Sequence, residues 1–98
     1  MIIIQSPVKL SPKASAEIKK ILDTGKIPPD HCLRIGIKDA GNGVISHVLG
    51  FDIKNDNDNE YVADGIRVLI NKNEVINLAG MTVDYYEGEA ARGFTFLV

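Results

Sequence analysis

Leu33, Ile35 and Ile37 are separated by Arg34, Gly36 and Lys38, the period-2 alternation of a strand with one buried face. A second run, Val44 to Phe51, is rich in β-branched and apolar residues and predicts a partner strand. Between them lies Asp39-Ala40-Gly41-Asn42-Gly43, made largely of residues that tolerate positive φ, and Asn42-Gly43 predicts a hairpin turn. Upstream the period lengthens. Ala14, Ile18, Ile21 and Leu22 fall at i, i+4, i+7 and i+8, an apolar stripe expected to be buried against the sheet. Ser11 is placed as N-cap, Pro12 at the first helical position and Gly25 as the stop. Before this helix, Ile2-Ile3-Ile4 reads as a short β segment limited by Pro7; after it, Ile27-Pro28-Pro29-Asp30 is a linker.

Beyond Phe51 the run Asp52-Ile53-Lys54-Asn55-Asp56-Asn57-Asp58-Asn59-Glu60 is almost wholly polar and is expected to form a loop. Tyr61 to Ala63 and Ile66 to Ile70 read as strands around an Asp64-Gly65 turn. Asn71 is expected to cap a short helix over Lys72 to Leu78, with Val75, Ile76 and Leu78 inward and Ala79-Gly80 ending it. Thr82 to Glu87 and Gly93 to Val98 are the last strands, joined through residues 88–92. The pattern predicts an α+β fold, mostly β, with a strong N-terminal helix and a short second one, in a single domain over residues 1–98.

Composition narrows the function classes. The 98 residues suit one compact core. A net charge of -2 offers no basic field for nucleic acid or acidic membranes. The apolar runs fall far short of a bilayer span, and Lys9 and Lys13 follow the N-terminal isoleucines instead of preceding them as in a signal peptide. A cytoplasmic location is expected. One cysteine rules out an intrachain disulfide and a multi-cysteine zinc site.

The candidate chemistry is therefore sparse. Cys32 opens the central strand, where cysteine usually acts as a small buried hydrophobe. His31 is adjacent to it, so the two side chains point to opposite faces of a strand. His47 reads as a cross-strand partner; a lone imidazole lacks the companions that a metal site requires. Asp39 and Asn42 add oxygen or nitrogen donors with nothing to fix their convergence. A calcium loop starting at Asp56 would need glycine at Tyr61 and glutamate at Arg67. Gly41-Asn42-Gly43 is followed by a strand, not by the helix that a dinucleotide fingerprint opens. No arrangement of residues argues for an enzyme.

Several segments together resemble the HesB-like or IscA-type (A-type) iron–sulfur cluster assembly proteins. Leu33-Arg34-Ile35-Gly36-Ile37-Lys38 is similar to that family's LR(V/L)GVK, and Val48-Leu49-Gly50-Phe51 to its following strand. Ala63 to Ile70 resembles its D-x-G-V-x-V-V strand, Leu78 to Tyr85 its L-x-G-(T/S)-x-(L/V)-D-(Y/F) segment, and Gly93 to Phe96 its GFxF. The resemblance implies a HesB-like domain of small packed sheets with the helix covering one side.

In that family a loop cysteine and a C-terminal C-G-C pair hold iron or a cluster, usually across a subunit interface. Soft thiolates suit iron–sulfur clusters. Here Asn42 stands where the loop cysteine is expected, and no C-G-C pair appears between Phe96 and Val98. The resemblance thus implies a divergent carrier-like protein unable to hold a cluster in the family's manner. No cofactor is expected, with iron or a cluster bound only through another ligand set, for which Cys32 and His47 are the weak candidates. The resemblance also implies a homodimer or higher oligomer, with other iron–sulfur assembly proteins as partners. The competing reading is a HesB-like module that binds a protein or small ligand without metal chemistry.

Overall fold

A computed structural model describes residues 5–98 of the chain. The expected β segment at residues 2–4 lies outside the described residues. The helix forms where its caps place it. Helix α1 runs Pro12–Asp23, Ser11 Oγ accepts a hydrogen bond from Ala14 N at 3.1 Å, and Gly25 follows the last turn at φ 77°. Ala14 and Ile18 are fully buried, while Ile21 and Leu22 are only half-buried. Ser15, off the expected stripe, is buried too, and its hydroxyl donates to the Asp64 carboxylate. The fully buried positions are thus confined to the first part of the helix, and the later residues of the stripe are only partly covered.

Two sheets share the core. Strands β2 (Cys32–Asp39), β3 (Ile45–Asp52), β4 (Asp58–Ala63) and β5 (Ile66–Asn71) form one, in the order β3-β2-β5-β4. Strand β1 (Lys9–Leu10), β6 (Thr82–Glu87) and β7 (Arg92–Leu97) form the other, in the order β1-β6-β7. The register sets the faces. Leu33 pairs with Phe51, Ile35 with Leu49 and Ile37 with His47, while Leu33 also aligns with Val68 and Val68 with Tyr61. These side chains therefore share the inner face, where Leu33, Ile35, Val68 and Ile70 meet Ala14, Ile18 and Val83 in one cluster. Arg34, Cys32, Arg67 and Glu60 occupy the other face of the same sheet.

Three expectations are corrected. The polar run after Phe51 is not all loop: Asp58, Asn59 and Glu60 are the first half of β4, and Asp58 is only 4% exposed. They pair with Leu69, Ile70 and Asn71 of β5, so backbone pairing wins over the loop-forming composition. Ile76 points outward and is 87% exposed. Helix α2 spans only Val75–Leu78, and a single turn cannot direct Val75, Ile76 and Leu78 to one side. Asn71 does not cap that helix. Its Oδ1 accepts from Asn73 N, and Glu74 is the residue before the first turn. The parallel strand β1, joined to β6 through Lys9↔Thr82 and Leu10↔Val83, had no signature in the hydropathy pattern.

Glu74 is freed from capping for another task. The β2–β5 pairing covers Leu33 and Arg34, and further along β2 the Ile37 amide donates to Glu74 Oε1 at 2.9 Å. A side chain at Gly36 would bring its Cβ within 2.9 Å of the same oxygen. Gly36 thus keeps the approach open, and Glu74 satisfies a donor that β5 does not reach.

Candidate functional site: the hairpin tip and the lone thiol

The β2–β3 hairpin ends in a loop held by its own backbone and short polar side chains. Ala40 N donates to the Val44 carbonyl at 3.1 Å, Asp39 Oδ1 accepts from Gly41 N at 2.8 Å, and Asn42 Oδ1 accepts from Val44 N at 3.2 Å. Gly41 and Gly43 sit at φ 88° and 82°, and a Cβ on either would meet nothing within 4 Å. Their backbone conformation, not crowding, calls for glycine. Residues 40–48 are all exposed. Asn42 and Asp39 thus each spend an oxygen on the turn.

His47 lies on β3 opposite Ile37, its ring stacked on Phe96 of β7 with centroids 5.0 Å apart and planes 23° from parallel. This contact ties the hairpin to the second sheet. Cys32 is at the far end of β2, opposite Asp52. Asp39 is seven positions further along β2, about 23 Å for an extended strand. The pairing also assigns Cys32 and His47 to opposite faces. Asn42, Cys32 and His47 therefore do not converge, and among the described residues no group of three or more His, Cys, Asp and Glu side chains could hold a metal ion. Donors of this kind do not fit a cluster that takes four ligands, mostly thiolates.

Cys32 is 3% exposed, and its burial pushes the thiol above its ordinary value, against the pull of the Arg67 charge. A thiol kept protonated and covered is a poor nucleophile. Labelling with a chromogenic disulfide at neutral pH should be slow in the native protein and fast in urea; equal rates would show an accessible thiolate.

The best-built polar site is one that the sequence pattern hid. On the outer face, Arg34 Nη1 and Nη2 donate to Asp58 Oδ1 and Oδ2 at 2.7 and 2.6 Å, and Nε donates to Asp52 Oδ2 at 3.0 Å. Nη2 also reaches the Ile53 carbonyl at 3.3 Å, and Asn55 N donates to Asp58 Oδ2 at 2.9 Å. The Arg34 guanidinium holds the Asp58 carboxyl below the usual carboxylate range despite its burial. This two-pronged pair clamps the 53–57 segment onto the sheet. Its only sequence signal was an arginine alternating with buried residues on β2, and the acid it meets belongs to a run that read as loop.

No family model matches the chain. Over 94 residues the chain is 33% identical to the protein named "Iron-sulfur cluster assembly 1 homolog, mitochondrial" of Gallus gallus, spanning 94% of this chain and 70% of that one. The chain belongs to the HesB/IscA-type family. Solved structures agree with this assignment in fold. The crystal structure of IscA with the [2Fe-2S] cluster superposes with a TM-score of 0.76 at 24% identity, over 91% of this chain and 82% of that one. The crystal structure of Escherichia coli SufA, involved in biosynthesis of iron–sulfur clusters, gives 0.71 at 20% identity, over 97% and 87%. Against this HesB/IscA-type background, Asn42 occupies the tip of the hairpin that the sequence resemblance singled out.

Proposed function

We propose that this chain is a divergent A-type iron–sulfur assembly protein, a single-domain carrier-like factor and not an enzyme, which does not hold a cluster in its family's manner. The observation that carries the reading is the hairpin tip of an otherwise family-like chain: a neutral amide stands there, engaged in its own turn, and Cys32 lies a strand's length away. The reading includes self-association. Strand β3 is an edge of its sheet, and Val44 just before it and Ile45 and Val48 on it are exposed, the kind of unprotected edge that invites pairing with another chain. It also includes contact with other iron–sulfur assembly proteins. No helix among the described residues is long and apolar enough to cross a membrane. The cytoplasmic location rests on the sequence alone, since the vertebrate relatives are named as mitochondrial.

The test has two arms. In cells lacking the chain, the activity of iron–sulfur enzymes should fall, and either the wild-type chain or Asn42→Ala should restore it. Unchanged enzyme activity would remove the assembly role. In vitro, iron and sulfide should stay well below stoichiometric after anaerobic reconstitution, for the wild type and for Asn42→Cys alike. Two loop thiolates in a dimer still fall short of the four ligands that a cluster takes. Stable cluster absorption in either protein would show that Cys32, a histidine or a carboxylate already serves as a ligand.

A further inference from the structure

Asn42-Gly43 is a reactive pair as well as a turn. It is the one place in the chain where an asparagine precedes a glycine. The side-chain carbonyl carbon of an asparagine is an electrophile, and the next residue's backbone nitrogen can attack it to close a succinimide ring. A side chain on that next residue crowds the approach, and glycine has none. Both residues are exposed, so water reaches the pair freely.

The loop holds the reacting groups together. Asn42 Oδ1 accepts from Val44 N at 3.2 Å. The ring that this hydrogen bond closes contains both the Asn42 amide carbon and Gly43 N, which keeps electrophile and nucleophile side by side. The same donor points at the oxygen on which negative charge collects during attack. Gly43 lies outside β2 and β3, and among the described residues its N–H meets no acceptor. No ladder bond has to break before this nitrogen reacts.

We propose that Asn42 deamidates spontaneously in the folded protein, through attack of Gly43 N on the Asn42 side-chain carbonyl carbon. The N–Cγ bond forms, the Cγ–Nδ2 bond breaks, and the Gly43 amide proton, carried by water, leaves on the departing nitrogen as ammonia. A water molecule then opens the succinimide at either carbonyl, giving aspartate or isoaspartate; nothing is oxidised or reduced. With the age of the molecule the tip gains a carboxylate in the same loop as Asp39, where the family resemblance places a thiolate. The Asp64-Gly65 turn is guarded against the same ring closure. The Ser15 hydroxyl and the Lys19 charge hold the Asp64 carboxyl below the usual carboxylate range, and a carboxylate is a poor electrophile. The inference stands apart from the assembly role proposed above.

Long incubation of the folded full chain in heavy-oxygen water at mildly alkaline pH, followed by peptide mapping, tests it. Residue 42 should become a labelled mixture of aspartate and isoaspartate, at a rate within severalfold of that in the urea-unfolded chain. Asn55, Asn57 and Asn73, each followed by a residue with a side chain, should convert far more slowly. The rate should rise with pH, because the attacking nitrogen must lose its proton. Gly43→Ala should slow conversion severalfold both in the fold and in urea, where the strain of alanine at φ 82° is absent. Asn42 intact in the folded chain while the unfolded chain converts, aspartate without isoaspartate, or Gly43→Ala converting as fast as the wild type in urea would each overturn the proposal.

Discussion

Asp58→Ala should cost about 3–5 kcal/mol of folding stability in urea unfolding, the range for breaking a buried ion pair by removing one partner. The Asp58 side chain has no exposed surface, while Arg34 keeps 22% of its own. Deleting the acid leaves the guanidinium with Asp52 and the Ile53 carbonyl, and leaves Asn55 N without its acceptor. Asp58→Asn should cost less, because the amide oxygen can still accept one of these bonds. A loss below about 0.5 kcal/mol for Asp58→Ala, typical of surface positions, would show that the pair is ornamental. The same carboxyl gives the protein an acid-sensitive element. Arg34 keeps its folded pKa below the ordinary value near 4. Its contribution is complete above that value and is lost as the pH falls through the lower folded one. Acid titration of stability should therefore steepen below about pH 4, and Asp58→Ala should flatten that part of the curve.

Ile18→Ala should cost about 2–5 kcal/mol, the range for truncating a buried aliphatic side chain. Ile18 has no exposed surface and packs in the cluster between α1 and both sheets, with no polar group whose loss would confuse the reading. Leu22→Ala, at a half-buried position, should cost clearly less. Equal costs would mean that the helix packs as the hydropathy stripe implied, with Leu22 as deep as Ile18.

The features legible in the sequence were those whose causes are local. Ser11, Pro12 and Gly25 fix the ends of α1 through their own backbone chemistry. Asp64 and Gly65 take φ 50° and 77°, the paired positive values of a two-residue hairpin turn. Leu33, Ile35 and the hairpin after them follow from alternation alone. What escaped was set by distant partners. Asp58 can be buried because Arg34 stands 24 positions earlier, and no window around residues 52–60 contains that information. Strand β1 is two residues long and exists because β6 pairs with it from the other end of the chain. At the candidate site, the departure at Asn42 was legible by itself. The clamp around Arg34 was not, because it is assembled from segments that meet only in the folded sheet.

Glu74 gives the hairpin a seam. Toward the base of β2, Leu33 and Arg34 are flanked by β3 on one side and β5 on the other. Nearer the tip, the side away from β3 is held by the Glu74 carboxylate at the Ile37 amide, and by the His47–Phe96 stack from the inner face. Neither contact is part of a continuous ladder. The outer half of the hairpin therefore forms its own unit of local opening. Its amides should exchange with solvent through excursions that leave the Leu33–Val68 centre closed, and Glu74→Ala should speed exchange from Ile37 to Ile45 while leaving the slowest core amides untouched.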